Sequence, residues 1–249
     1  MRVKTGITNL DRILGGGLPE GYCYLLLGGP GAGKTTFGVQ YILNGINESD
    51  ETGIYVTLDE PPFSIVNNAK ENFGWDLISQ ETSQKLALVD ASPMDIDAPA
   101  GTYRIKGALG TEDFSIDSVL GLVSTAKRQL VPTATRCVID SVSGLLFQYE
   151  RPFVQRQQLL KLIKGLTEMR LTTILLGELP EESIDNQRFG PEAYLAQGVF
   201  VMHNIRSKNV MAEVFQIKKL RGQKFPKRMM PYSIGDSGVE VYPEEKLFV

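Results

Sequence analysis

The chain has 249 residues, 42% of them hydrophobic, and a formal net charge of −3 at neutral pH. That length holds one large α/β domain or two small ones, with apolar content enough for a sizeable core. The near-neutral charge excludes global steering toward nucleic acid or an anionic membrane, and only two cysteines, Cys23 and Cys137, exclude a disulfide framework.

Both cysteines lie in apolar runs, which suits core packing in a reducing compartment. No apolar run approaches the roughly 20 residues of a membrane span. Met1-Arg2-Val3-Lys4-Thr5-Gly6 carries no signal-peptide core, so a cytoplasmic protein is expected.

In chain order, Thr8 to Leu14 is short and amphipathic, and Gly15-Gly16-Gly17-Leu18-Pro19 ends it as a turn. The apolar run Tyr22 to Leu27 reads as a buried strand. It delivers Gly28-Gly29-Pro30-Gly31-Ala32-Gly33-Lys34-Thr35, which fits the phosphate-loop pattern G-x-x-x-x-G-K-[ST] at every fixed position. Thr35 to Gly45 then reads as a helix, with Phe37, Tyr41 and Ile42 apolar at helical spacing. Strand, glycine turn and helix form the context that the motif requires.

The glycines let backbone N–H groups turn around a polyphosphate without Cβ clashes, and the helix start adds its positive dipole end. Lys34 is expected at the β- and γ-phosphates of ATP, and the Thr35 hydroxyl at Mg²⁺. Thr36, next in the helix, completes the expected nucleotide-binding set from Gly28 onward.

Ile54 to Leu58 reads as a second strand, with Asp59-Glu60-Pro61-Pro62 at its carboxyl end, where open parallel sheets bind ligands. The two acids are either functional or a solvated loop pair, and the prolines are expected to forbid an immediate helix. Ser64 to Phe73 reads as a helix stopped by Gly74, and Leu86 to Val89 as a third strand. Pro93 to Asp113, rich in Pro, Gly, Asp and Ala, is expected to be a long loop. Ser115 to Leu130 reads as a helix with Ser115 as its N-cap.

Cys137 to Ser141 is a short apolar strand ending in Asp140, the weak Walker B pattern. Following a phosphate loop, Asp140 becomes the expected carboxylate near Mg²⁺. Ser141 either orients a metal-bound water or is a plain strand-end serine. Phe153 to Met169 is an amphipathic helix, and Thr172 to Leu176 a strand. An acidic stretch follows, with Glu178, Glu181, Glu182, Asp185 and Glu192. Val199 to Met202 and Val214 to Ile217 read as strands, and Ser233-Ile234 and Val239 to Tyr242 as a hairpin around Gly235-Asp236-Ser237-Gly238. Arg206 to Arg228 holds eight Lys or Arg against one acid, Glu213. His203 is expected to pack at a strand end rather than to ligate a metal, and Phe73 and Trp75 to pack in the core rather than to stack bases.

Early strands alternate with helices and late strands follow one another. The expected fold is α/β: a mostly parallel twisted sheet with helices on both faces and an antiparallel C-terminal extension. No linker or repeat is visible, so residues 1–249 are expected to form one domain.

Thr5-Gly6-Ile7, Leu10-Asp11 and Gly15-Gly16-Gly17-Leu18-Pro19 ahead of the phosphate loop resemble the opening of the RecA/RadA-type ATPases, most closely the KaiC family. Tyr55-Val56-Thr57-Leu58-Asp59-Glu60, Asn72-Phe73-Gly74-Trp75-Asp76-Leu77, Asp90-Ala91-Ser92-Pro93, Val138-Ile139-Asp140-Ser141-Val142, Lys219-Leu220-Arg221-Gly222 and Ile234-Gly235-Asp236-Ser237-Gly238 extend the resemblance from about Thr5 to Tyr242. It implies a RecA-type P-loop core and a KaiC-like ATPase of one such domain.

The resemblance implies that Asp59 and Glu60 orient or deprotonate the attacking water. The family usually has Glu where Asp59 stands, and Asp is about 1.5 Å shorter in reach. It also implies a homo-oligomeric ring, such as a hexamer, in which Lys219 and Arg221 reach a neighbour's γ-phosphate and Asp236 lies near a neighbour's nucleotide. A solvated basic face or a nucleic-acid patch is the other reading of Lys219 and Arg221. The stretch Glu192 to Gly198 has no Ser or Thr, so KaiC-type autophosphorylation is not expected.

Three readings compete: a slow Mg²⁺-dependent ATPase with composite sites, a RadA-type recombinase paralogue binding single-stranded DNA, and a nucleotide-gated scaffold with little hydrolysis. The negative charge and the lack of a separate DNA-binding module disfavour the second. ATP and ADP are the expected ligands, and a signalling or DNA-repair protein the expected class of partner.

Overall fold

Cys23, Leu25 and Leu27 face one layer of core, and Tyr24 and Leu26 the other. A strand apolar on both faces belongs in the middle of a sheet covered on both sides. The computed structural model describes residues 1–92, 104–107, 110–179, 190–207 and 210–245.

In chain order, β1 (Arg2–Val3), α1 (Leu10–Ile13) and β2 (Leu18–Pro19) precede the loop strand β3 (Cys23–Gly28) and its helix α2 (Lys34–Ser49). There follow β4 (Gly53–Thr57), α3 (Pro62–Phe73), α4 (Leu77–Thr82), β5 (Leu86–Asp90), β6 (Arg104–Gly107), β7 (Gly110–Asp113) and α5 (Ile116–Gln129). Next come β8 (Arg136–Asp140), α6 (Val142–Phe147), α7 (Pro152–Glu168), β9 (Thr172–Glu178) and α8 (Pro191–Leu195). The late strands are β10 (Gly198–Ser207), β11 (Val210–Leu220), β12 (Met230–Gly235) and β13 (Gly238–Val241).

The main sheet among the described residues has the order β13-β12-β11-β10-β3-β9-β8-β4-β5. From β10 to β5 every pairing is parallel, while β11, β12 and β13 add on antiparallel. Phe37 and Tyr41 of α2 pack on one face with Phe200 and Phe215, and α5, α6 and α7 cover the other with Val119, Leu145, Leu159 and Leu162. This is the α/β arrangement expected of a RecA-type P-loop core. Among the described residues no helix is long and apolar enough to cross a membrane.

Several boundaries differ from the expectation. The helix α3 begins at Pro62, with Pro61 as its cap. A proline in the first turn loses no helical hydrogen bond, so the two prolines start this helix rather than delay it. Within the expected long loop, β6 pairs with β7, Gly107 opposite Gly110. The β-formers Ile105 and Thr111 were diluted by the Pro, Asp and Ala before them; 93–103 and 108–109 lie outside the described residues. The helices α4, α6 and α8 and the β1–β2 pair are too short to show a period. Strands β10 and β11 are longer than expected, because polar residues such as Asn204, Glu213 and Lys218 bound their apolar runs.

Cys23 and Cys137 are buried free thiols. His203 is buried inside β10 and bonded to Gln216. Phe73 and Trp75 stack with ring centroids 4.5 Å apart, Trp75 against the core.

Candidate nucleotide site

Sheet register brings the distant motifs to one edge. Gly28 is level with Glu178, Leu176 with Asp140, and Asp140 with Thr57. The carboxyl ends of β3, β9, β8 and β4 therefore present the phosphate loop, Glu178, Asp140 and the Asp59-Glu60 turn side by side, where open parallel sheets bind ligands.

Gly28 and Gly29 lead to Pro30, Gly31, Ala32 and Gly33 in a turn that needs the left-handed region at Gly31 (φ 72°) and Gly33 (φ 85°). Gly33 caps α2 without any side-chain acceptor. The N–H groups of the first turn, at Lys34, Thr35 and Thr36, are thus available to an external anion. The β12–β13 hairpin braces the loop: Tyr232 donates its hydroxyl to Ala32 O at 2.8 Å, and a Cβ on Gly33 would run into Ile234.

The Lys34 ammonium donates to Gly28 O and Gly29 O, 3.0 Å each. Burial lowers its pKa, against the raising influence of Asp140, Glu178 and Asp59. Such a cation, already at the loop and surrounded by acids, suits a polyphosphate that brings its own negative charge.

Thr35 donates its hydroxyl to Asp140 Oδ2 at 2.8 Å, and Tyr55 donates to the same oxygen at 2.6 Å. Burial raises the Asp140 pKa, opposed by these two hydrogen bonds. The Asp140–Ser141 peptide is cis, and Ser141 Oγ is buried without a hydrogen-bond partner among the described residues. Oxygen donors, an orphaned hydroxyl and a carboxylate beside the loop fit a hard divalent cation. Among the described residues no group of three or more His, Cys, Asp or Glu could hold a metal. A cation here would therefore take Thr35, Asp140, phosphate oxygens and water, the usual habit of Mg²⁺.

The two acids after β4 differ. Asp59 is exposed, yet its Oδ2 accepts the Ser141 amide N–H at 3.2 Å. Glu60 is half-buried, and the Thr57 hydroxyl donates to its carbonyl, closing the turn. Burial raises the Glu60 pKa, helped by the Asp140 and Asp59 charges.

Lys219 and Arg221 do not join this cluster. Lys219 is level with Val199 and hence with Leu25, about 10 Å down the strand from Gly28. Its ammonium donates to Ala193 O, Tyr194 O and Ala196 O at 3.0, 2.9 and 2.8 Å, and Arg221 donates to Tyr194 O at 2.8 Å. The two side chains share one side, as expected, although Arg221 is one residue past β11. Asp236 is exposed at the tip of the hairpin that braces the chain's own loop. Glu181, Glu182, Asp185 and Lys208 lie outside the described residues.

Sequence reasoning missed Tyr55, the Asp59–Ser141 bond and the role of Ser143, whose hydroxyl accepts the Glu178 N–H at 2.9 Å. It placed Glu178 at the end of a strand and in an acidic stretch, without a role at the site. The one available signal was that Glu178 ends a strand, as Asp140 does.

A family model described as "ATPase: KaiC" matches residues 3–246. The circadian clock oscillator protein KaiC of Synechococcus elongatus is 34% identical over 242 residues, 97% of this chain and 44% of that protein. Its namesake in Parasynechococcus marenigrum is 32% identical over 243 residues, 97% of this chain and 45% of that protein. That of Thermosynechococcus vestitus is 34% identical over 242 residues, again 97% and 44%. The chain thus spans just under half the length of these relatives.

Proposed function

The chain belongs to the KaiC ATPase family, and on that premise we propose that residues 1–249 act as one Mg²⁺-dependent ATPase unit. It hydrolyses ATP slowly, at sites shared between copies in a ring. The observation that carries this reading is the Thr35–Asp140 hydrogen bond at the open end of a phosphate loop with a correct strand and helix on either side.

Each residue has a part. The loop N–H groups from Gly31 to Thr36 cradle the phosphates, and Lys34 exchanges the Gly28 and Gly29 carbonyls for phosphate oxygens. Mg²⁺, held by Thr35 and Asp140, would neutralise charge on the β- and γ-phosphates. Glu60 orients the attacking water and accepts its proton, while Asp59 holds the Ser141 backbone. One carboxylate so occupied, and one methylene shorter than Glu, fits slow turnover.

Lys219 and Arg221, some way from their own loop, are proposed to reach a neighbour's γ-phosphate and stabilise charge there. Asp236 is proposed to lie beside nucleotide at the same junction. The clock role in the relatives' names is not part of this proposal, nor is autophosphorylation. A soluble, cytoplasmic setting is proposed with it.

The test is phosphate release from Mg–ATP across protein concentrations, for wild type, Lys34→Ala and Arg221→Ala. Specific activity that rises with concentration and is lost in both variants is the expected result. Activity in Arg221→Ala equal to wild type at every concentration would sink the shared site. The Asp59–Ser141 bond favours one second reading, a nucleotide-gated scaffold: wild type that retains ATP and releases no phosphate would make it the better one.

A further inference from the structure

Tyr55 has no chemical role in the sequence reading above, yet its hydroxyl makes the shorter of the two side-chain hydrogen bonds to Asp140 Oδ2. We propose that Tyr55 is a positioning residue for the divalent-cation site: it holds the Asp140 carboxylate in the orientation that aims the Thr35 hydroxyl.

Strand β4 lies directly beside β8, with Tyr55 level with Val138 and Thr57 with Asp140. The buried Tyr55 side chain runs along the sheet face and ends 2.6 Å from Asp140 Oδ2. Its ring is clamped against α2, where a Cβ on Gly38 would lie only 3.3 Å from Tyr55 Cε2. The same oxygen accepts the Thr35 hydroxyl at 2.8 Å. A threonine that gives its proton to a fixed acceptor has its lone pairs fixed too, and those are what a cation would take. The chain Tyr55 to Asp140 to Thr35 therefore orients a ligand through two charge-assisted hydrogen bonds. Outer partners of this kind are commonly worth about 10–100-fold in metal affinity.

The inference rests on the Mg²⁺ reading of Thr35 and Asp140, so the experiment separates the two. Mn²⁺ binding in the presence of ADP is read by electron paramagnetic resonance for wild type, Tyr55→Phe, Asp140→Asn and Tyr41→Phe. The affinity for a fluorescent ADP in EDTA is measured beside it. Tyr41 is a second buried tyrosine, on α2 itself, its hydroxyl donating to Thr172 O at 2.9 Å, and serves as the control. The expected result is Mn²⁺ affinity about tenfold weaker in Tyr55→Phe, with EDTA-state ADP affinity and Tyr41→Phe unchanged. Unchanged Mn²⁺ affinity in Tyr55→Phe with a loss in Asp140→Asn overturns the role of Tyr55 alone. Equal losses in Tyr55→Phe and Tyr41→Phe overturn it as well, since they would report general loosening. No loss in Asp140→Asn removes the cation reading and this inference with it.

Discussion

Asp59 Oδ2 accepts the Ser141 amide N–H at 3.2 Å, tying the turn after β4 to the residue that follows the Asp140 strand. The contact is close on the other oxygen too, since a Cβ on Gly144 would come within 2.5 Å of Asp59 Oδ1. Asp59 thus has a structural task that Glu60 lacks. An amide oxygen accepts that N–H as a carboxylate does, so Asp59→Asn keeps the tie. Glu60→Gln removes the proposed base. We expect Glu60→Gln to lower phosphate release by about 10²–10⁴-fold, and Asp59→Asn by much less. Equal losses in the two variants, in a single-turnover phosphate assay, would contradict this division of labour.

Glu60 also carries a pH signature. Burial, with the Asp140 and Asp59 charges, holds its carboxyl above the ordinary 4.5. A base must be ionised to accept a proton, so activity falls as pH drops through that raised value. The acid limb of kcat/KM, which reports free-enzyme groups, should lie above that of an ordinary glutamate. Asp59→Asn deletes one of the charges that raise it and should move the limb to lower pH. A limb that stays in place in Asp59→Asn would rule Glu60 out as its source.

The opposite edge of the sheet carries a stability device. Arg136 is 1% exposed, paired with Glu51, and donates to Lys4 O at 2.7 Å and Tyr41 O at 2.9 Å. Its guanidinium lies 4.7 Å from the Tyr41 ring centroid. Removing one partner of a buried pair leaves a charge without its counter-charge. Glu51→Ala should cost about 3 kcal/mol, discounted toward about 2 because Glu51 is part-exposed, and lower Tm by roughly 4–10 °C. Nucleotide affinity of the folded protein should be unchanged, because the pair is remote from the phosphate loop. Calorimetry together with nucleotide titration checks both halves.

What the sequence made legible follows from range. The phosphate loop, its strand and its helix are contiguous, so three local signals agree from Tyr22 to Gly45. Asp140 was legible because a strand-end acid is expected once such a loop is present. Tyr55 was not, because its meaning depends on β4 lying beside β8, a pairing between residues 85 apart in the chain. The start of α3 was misjudged because proline opposes a helix only past its first turn. Lys219 and Arg221 were recognised as a pair, but their acceptors are carbonyls at the end of α8, a helix too short to announce itself.

Those carbonyls divide the two cations. Lys219 donates to three of them, while the exposed Arg221 guanidinium donates to one, Tyr194 O. A cation on the final carbonyls of a helix satisfies groups that otherwise have no partner and opposes the negative end of the dipole. Burial, and then Arg221, lowers the Lys219 pKa, and the three carbonyl acceptors oppose this by stabilising the ammonium where it lies. Lys219→Ala should therefore lower stability by about 1–2 kcal/mol and speed amide hydrogen exchange over 191–197. Arg221→Ala should leave exchange there close to wild type and, if the site is shared between copies, remove the concentration-dependent part of phosphate release. Both variants are measured by hydrogen exchange and by phosphate release on the same preparations. A loss of activity confined to Lys219→Ala, with exchange unaltered in both, would remove Arg221 from the proposed γ-phosphate contact and leave it to Lys219 alone.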